Sequence, residues 1–449
     1  MKRRLAISLT FILVLTVVLL TLRKSQKDNE SGIRYCSAFQ SKLTKVTGQI
    51  ASKEPFQIVY AFPLDYKDGK NPDFIITELK GDFWKDKQAP HPRLRYIKNL
   101  GDGKFAEDEN FPVFETLHAR HLVPVELNEG RGFIFADHGL DAPPFLGSFP
   151  RMILKQKDGT WREYTKELLP QNPSFNFHVT TFNMDKNGPD LFVSVVSDAG
   201  KSKGSYLLKN DGHDHFAISD KIPEDLRKGD ACFMTNHVAD LLGDGKKEII
   251  IGGCDRPPGT KMAARDRILR LVNGTLEYAP EESIPLRAKD ESWGTVAIAT
   301  ADLNHDGHPD IVEAVHNFGF TKGAIQIHLN TGRDLKFREA EQSLLQPAEK
   351  NKTSFIPWVR LGDLDGDGLP EILAPITPIF KDGIDPKLEK NFALYKNVDG
   401  EHFANVGPCL GSKLPYISDA EFMDLNNDGK LDILLLSSDG HFEIYYNKF

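Results

Sequence analysis

The sequence predicts an all-β fold, a seven-bladed β-propeller with four-stranded blades, preceded by an N-terminal transmembrane or signal helix. Three observations carry this reading. A short acidic turn motif recurs at nearly sixty-residue intervals. Each copy is bracketed by runs rich in β-branched residues, such as TVAIATA before and DILLLSS after. Each is then followed by a glycine-containing turn that joins two more strand-like runs, as in AIQIHLNTGRDLKFRE and FALYKNVDGEHFAN. Four short strands repeated seven times describe a propeller better than a sandwich or a solenoid.

At the N-terminus, Lys2, Arg3 and Arg4 precede an uncharged run from Leu5 to Leu22, which at helical rise is nearly long enough to cross a bilayer core. The run ends in TLRK with no small-residue cleavage step, so a signal-anchor is favoured over a cleaved signal peptide. The expected organisation is a signal-anchor or signal peptide over 1–24, a short linker over 25–36 and the propeller over 37–449. The propeller is then extracytoplasmic, anchored by the single N-terminal segment, or secreted or periplasmic after cleavage. Its only expected membrane contact is that segment. A formal charge of −8 and the lack of a basic patch beyond the N-terminus exclude a nucleic-acid-binding surface.

The repeat is clearest in ADLNHDGHPDIVEA, GDLDGDGLPEILAP and MDLNNDGKLDILLL. Weaker copies put the first loop positions of the seven units at Asp65, Glu126, Asn183, Asp240, Asp302, Asp363 and Asp424. In isolation, Asp302 to Glu313 matches a twelve-residue EF-hand loop. That match does not repeat, because the twelfth position is Ala374 and Leu435 in the other two intact copies and the flanks are strands. What repeats is a nine-residue hairpin turn built around a cation.

In the three intact loops, side chains at positions one, three, five and nine supply oxygen ligands: Asp302, Asn304, Asp306 and Asp310; Asp363, Asp365, Asp367 and Glu371; Asp424, Asn426, Asp428 and Asp432. His308, Leu369 and Lys430 are expected to add backbone oxygens. Oxygen-only ligands at this density select a hard cation, and a flexible six- or seven-ligand shell suits calcium. About three structural calcium ions are therefore expected. Blade four keeps Asp240, Asp244 and Glu248 but has Leu242 at a ligand position, which leaves its occupancy open, and blades one to three are expected to bind none.

Taken together, the chain from about residue 37 to 449 resembles the FG-GAP/VCBS repeat family, the calcium-loop propellers of integrin α subunits and of many exported bacterial proteins. The resemblance implies a seven-bladed ring with calcium in the loops of one face, and frequently adhesion or ligand binding. It implies no reaction.

The last unit ends at HFEIYYNKF, one strand short, whereas SAFQSKLTKV from Ser37 precedes the first unit. The N-terminal strand is therefore expected to complete blade seven and close the ring. Cys36 and Cys409 then become neighbours, and Cys232 and Cys254 face each other across two strands of blade four. Two disulfides and four buried thiols both remain open from sequence.

Counting back five and three residues from each first loop position gives the inner-strand residues that should face the channel. His121, His178, His237, Trp358, Arg360, Asp419 and Glu421 fall in this set, and His138 is expected to join them from a loop after a second strand. Such a concavity suits a sugar or acidic glycan, and histidine with a carboxylate could serve acid-base chemistry. Three histidines from three blades, without close spacing, make a weak zinc motif. No G-x-S-x-G, Walker, Rossmann or HExxH pattern occurs.

The leading functional expectation is a monomeric, calcium-binding recognition module for a protein or glycan ligand. A carbohydrate-active enzyme at the channel mouth, or an envelope scaffold, is the alternative.

Overall fold

The computed structural model describes residues 34–53, 58–64, 71–78, 92–139, 147–196, 204–255, 265–285, 293–318, 322–346, 354–378, 392–414 and 417–449. The apolar N-terminal run and the blade-one loop at Asp65 lie outside these. Among the described residues, no helix is long and apolar enough to cross a membrane.

The described strands form seven antiparallel blade sheets with four main strands in each, and one two-stranded sheet of Ser354–Phe355 with Thr377–Pro378, so the sequence repeat is one blade per unit. The first strands are Ile58–Leu64, Ala119–Leu127, Asn176–Phe182, Phe233–Ala239, Gly294–Ala301, Arg360–Gly362 and Ile417–Met423. First strands of successive blades pack on one another in a closed circuit, the last against the first, which makes them the inner wall of a ring.

The N-terminal strand does complete blade seven. Leu43–Gln49 pairs antiparallel with His441–Asn447 as the outermost strand, so both chain ends share one sheet and the ring has no open seam. The extended segment starts later than expected, because residues 34–42 are helical. Cys36 on that helix is bonded to Cys409, with Cα atoms 5.3 Å apart. Cys232 is bonded to Cys254 across blade four at a Cα separation of 5.4 Å.

Strand alternation places apolar side chains on both faces of each sheet, so the core lies between blades. Ile134, Met152, Val179 and Val193 fill the space between blades two and three. Ile250, Ile268, Ile298 and Ile311 do so between four and five, and Leu373, Leu394, Ile433 and Leu435 between six and seven. Each such fully buried side chain contributes roughly 1.5–3 kcal/mol.

Six of the seven inner strands carry a one-residue register shift at the same place, between Ile58 and Tyr60, Ala119 and His121, Asn176 and His178, Phe233 and Thr235, Thr295 and Ala297, and Ile417 and Asp419. A bulge re-aims the residue that follows it. Here that residue is the first of the two channel-facing positions in each blade.

Candidate functional site

Two regions hold the chemistry, the axial cavity and the hairpin loops between first and second strands. The axis is not an open polar tube. Tyr60, Phe62 and Trp358 meet edge to face near the centre, with Trp358 5.2 Å from Tyr60 and 5.9 Å from Phe62 between ring centroids, and they close the blade-one side. What remains is an off-axis cavity of about 440 Å³ bounded by blades two to six and lined by His121, His178, His237, Trp358 and Arg360 among others.

The histidine rings are fixed by their neighbours. His121 and His178 stack, with centroids 3.3 Å apart. His121 Nδ1 lies 2.9 Å from the Val179 carbonyl, His178 Nδ1 lies 3.3 Å from Asn236 Oδ1, and His237 Nε2 lies 3.0 Å from Thr300 Oγ1. Burial, then the charges of His178 and Arg360, holds His121 well below the usual imidazole range. Burial lowers His178 to about 3 and His237 to about 4. The cavity is therefore lined by neutral imidazoles at physiological pH. Their ligating nitrogens do not form a metal-binding group among the described residues.

Arg360 is engaged rather than free. Its Nε and Nη2 donate to the Glu421 carboxylate at 2.7 and 2.6 Å, and its guanidinium lies 5.2 Å from the Trp358 ring centroid. Asp419 is fully buried and accepts the Ala61 N–H at 2.7 Å, which ties blade seven to blade one. Burial, then the Glu421 charge, raises Asp419 to about 8. Both carboxylates thus serve structure, and neither lines the cavity. Trp358 is 5% exposed, and its indole N–H has no acceptor among the described residues.

His138 is not in the cavity. A second strand runs antiparallel to the first, so its end returns to the start of the inner strand, at the opposite end of the channel. There His138 packs against His118, Phe175 and Phe177. His316 lies beside Phe355 for the same reason.

In the hairpin loops, the glycine at position six adopts a left-handed backbone in each intact copy, with φ of 85°, 86° and 85° at Gly307, Gly368 and Gly429. Blades five and seven fold alike. Asp302 accepts the N–H groups of Asp306 and Gly307, and Asp424 those of Asp428 and Gly429. Asp310 and Asp432, both fully buried, each accept two further N–H groups, from Leu303 and Asn330 and from Leu425 and Asn447. Burial raises Asp310 to about 7 and Asp432 to about 6; the backbone bonds oppose the rise and the neighbouring loop carboxylates add to it. Three carboxylates and one amide oxygen are a donor set suited to a hard cation, which Asp302, Asn304, Asp306 and Asp310, and the matching blade-seven residues, would hold by drawing together, since their carboxylate oxygens do not all lie within 4.8 Å of one another.

Blade six departs from this pattern. Asp363, Asp365 and Glu371 bring carboxylate oxygens within 4.8 Å of one another. The Lys396 ammonium from the third strand lies among the loop carboxylates, 2.8 Å from Asp365, 2.6 Å from Asp367 and 3.0 Å from Glu371. Burial works to lower the Lys396 pKa, but the charge of Glu371 and the hydrogen bonds of all three acids outweigh it.

Glu313, the glutamate that completes the EF-hand match, sits fully buried in the second strand opposite Ile298 and Gln326, with His328 Nε2 3.4 Å away. It faces the blade interior and not the loop.

Sequence reasoning also missed a set of staples between blades. An asparagine ends the third strand of five blades, and four of these donate from Nδ2 to a loop carbonyl of the preceding blade: Asn330 to Leu241, Asn397 to Leu303 and Asn99 to Leu425, each at 2.9 Å, and Asn447 to Leu364 at 2.5 Å. The signal was visible as the Asn before the turn in IKNLGDG, HLNTGRD and YKNVDGE.

No curated protein matches the chain. Among solved structures it is similar to an Agrocybe aegerita lectin described as recognising non-reducing terminal N-acetylglucosamine, at 14% identity over 88% of this chain and 91% of that one, with a TM-score of 0.44. It is also similar to the α-L-arabinofuranosidase of Fusarium graminearum solved with an iminosugar inhibitor, at 12% identity over 76% of this chain and 94% of that one, with a TM-score of 0.40. At such identity and overlap these likenesses carry no argument about activity. Residues 240–313, from the blade-four loop to the second strand of blade five, match the family model described as an FG-GAP-like repeat.

Proposed function

We propose that this chain is a calcium-stabilised, extracytoplasmic recognition propeller, tethered by or exported through its N-terminal segment, that binds a glycan in the axial cavity. One observation supports this reading above the others: Trp358 lines the cavity, and its buried indole N–H has no acceptor of its own among the described residues. A buried donor costs about 1–3 kcal/mol when left unsatisfied, and a small shift of the Trp358 ring that brings it to a ligand oxygen removes that cost. Neutral imidazole nitrogens on His121, His178 and His237 add both donors and acceptors, which suits the hydroxyl groups of a sugar.

Recognition is favoured over hydrolysis because glycosidases work with two available carboxyl groups across the scissile bond. Here Glu421 is held by Arg360 and Asp419 by the backbone of Ala61 and Ala420. The calcium ions are proposed as structural, since loops that supply most of their own ligands leave little coordination for substrate.

A glycan screen of the full chain, followed by calorimetry on the hits, tests the reading. Trp358→Phe keeps the ring and deletes the N–H, and is expected to weaken binding about tenfold, the worth of one buried hydrogen bond. His178→Ala is expected to weaken it as well. Binding unchanged in both variants would move the site out of the cavity, a protein ligand with no glycan hit would replace the ligand class, and sugar release from a hit would restore the enzyme.

A further inference from the structure

We infer that the blade-six loop is closed by an internal cation, the Lys396 ammonium, and takes no calcium, so that the intact loops bind two ions, in blades five and seven, rather than three. The inference rests on the calcium reading of the loops and corrects its stoichiometry. The argument starts from register. In blades three, five, six and seven the third strand ends in Asn210, Asn330, Asn397 and Asn447, and the register makes the residue just before it the cross-strand neighbour of the acid that ends the hairpin loop, Asp190, Asp310, Glu371 or Asp432. That residue is Leu329 in blade five and Tyr446 in blade seven, neither of which carries a charge. In blade six it is Lys396.

The Lys396 ammonium lies 2.6–3.0 Å from oxygens of Asp365, Asp367 and Glu371, the same side chains that would ligate a metal at loop positions three, five and nine. Its three donors match three carboxylates, and its side chain is only 5% exposed. A calcium ion entering this loop must either expel a buried ammonium from its acceptors or share one site with a second cation. Leu329 and Tyr446 present no such competitor.

Blade three repeats the arrangement independently. Lys209 occupies the equivalent position, 2.6 Å from Asp185 and 3.8 Å from Asp190, above a loop that is one residue shorter between Gly188 and Asp190 than between Gly307 and Asp310. Two of these four blades therefore carry lysine where the other two carry an uncharged side chain, and in both cases the lysine reaches its own loop's acids.

The test is ion stoichiometry of the full chain by equilibrium dialysis against calcium, with blade four's contribution removed by Asp240→Ala in every sample. Two ions are expected. Lys396→Met is expected to raise the count to three, the new site having a dissociation constant of roughly 10⁻⁴–10⁻³ M, as for extracellular calcium modules. Asp365→Ala should leave the count at two, whereas Asp306→Ala should reduce it to one. Because Lys396→Met exposes uncompensated acids and could fail to fold, Leu329→Lys supplies the converse, with one ion lost from blade five. Three ions with Lys396 present, two ions in a folded Lys396→Met variant, or an undiminished count in Leu329→Lys would overturn the inference while leaving calcium binding intact. No bound ion in any sample would overturn the calcium reading itself.

Discussion

Blades five and six carry almost the same loop, DLNHDGHPD and DLDGDGLPE, in the same register between the same two strands. Yet one leaves its acids facing an uncharged Leu329, and the other folds a lysine ammonium into their midst. The difference lies on a strand more than twenty residues downstream. It teaches that a ligand-bearing motif states what a turn could hold, while the residue that the sheet places over the turn decides what neutralises it. Clustered carboxylates repel one another unless a cation is supplied, and here the cation comes either from solution or from the chain.

The sharpest way to break that comparison is to remove the internal cation. Lys396→Ala leaves Glu371 buried and Asp365 half-buried without their partner, and loss of one member of a buried charge group costs about 3–5 kcal/mol. Urea unfolding in chelator should show that loss, and calcium at about a hundred times its dissociation constant should return about 2.7 kcal/mol. Leu329→Ala at the matching position should cost about 2–5 kcal/mol through a cavity, with no recovery beyond the calcium response of the unaltered chain. Equal calcium dependence of the two variants would erase the distinction between the blades.

The histidines of the axial cavity supply a third way of burying titratable groups, as neutral imidazoles. His178 faces His121, His237 and Arg360, with Asp419 and Glu421 beyond, and burial holds it at about 3. Its folded pKa lies below the unfolded value near 6.5, so its contribution to stability is present above that value and is lost as the pH falls toward 3. Asp419, raised to about 8, has the opposite sign: its contribution is full below the ordinary carboxylate range and is lost as the pH rises through 8. The wild-type profile sums these, and the difference from His178→Gln isolates the imidazole. That difference should change by about 1.4 kcal/mol per pH unit below pH 6, measured as ΔG from urea melts between pH 4 and 7. A flat difference would mean that His178 is protonated in the fold.

How far these regions were legible in the sequence follows from the range of the interactions. Blade number, the N-terminal clasp and the loop positions of blades two to seven depend on local periodicity and on counting strands, and these appear in the structure. Of the channel-facing positions, His121, His178, His237, Trp358 and Arg360 line the cavity, and Asp419 and Glu421 do not. Which of them reach one another was not readable, since Tyr60, Phe62 and Trp358 come from blades one and six and fill the axis only once the ring has closed. The exchange of His138 to the other end came from attaching a second-strand terminus to the wrong end of its antiparallel partner. Lys396 was overlooked because it stands in a strand whose other residues read as an ordinary buried run, FALYKN.

The smallest effect tests whether burial, and not merely the presence of lysine, gives blade six its character. In blade three the Lys209 and Asp185 side chains are 32% and 41% exposed, against 5% for Lys396. An exposed pair gains little because water screens it and its side chains lose freedom when they meet, so Lys209→Met should cost no more than about 1 kcal/mol. The loss should shrink further in high salt, where a buried group such as Lys396 with Glu371 is screened far less. A loss in blade three as large as that of Lys396→Ala would show that the position over the loop matters regardless of exposure, and the lysine would then act through strand packing instead of through charge.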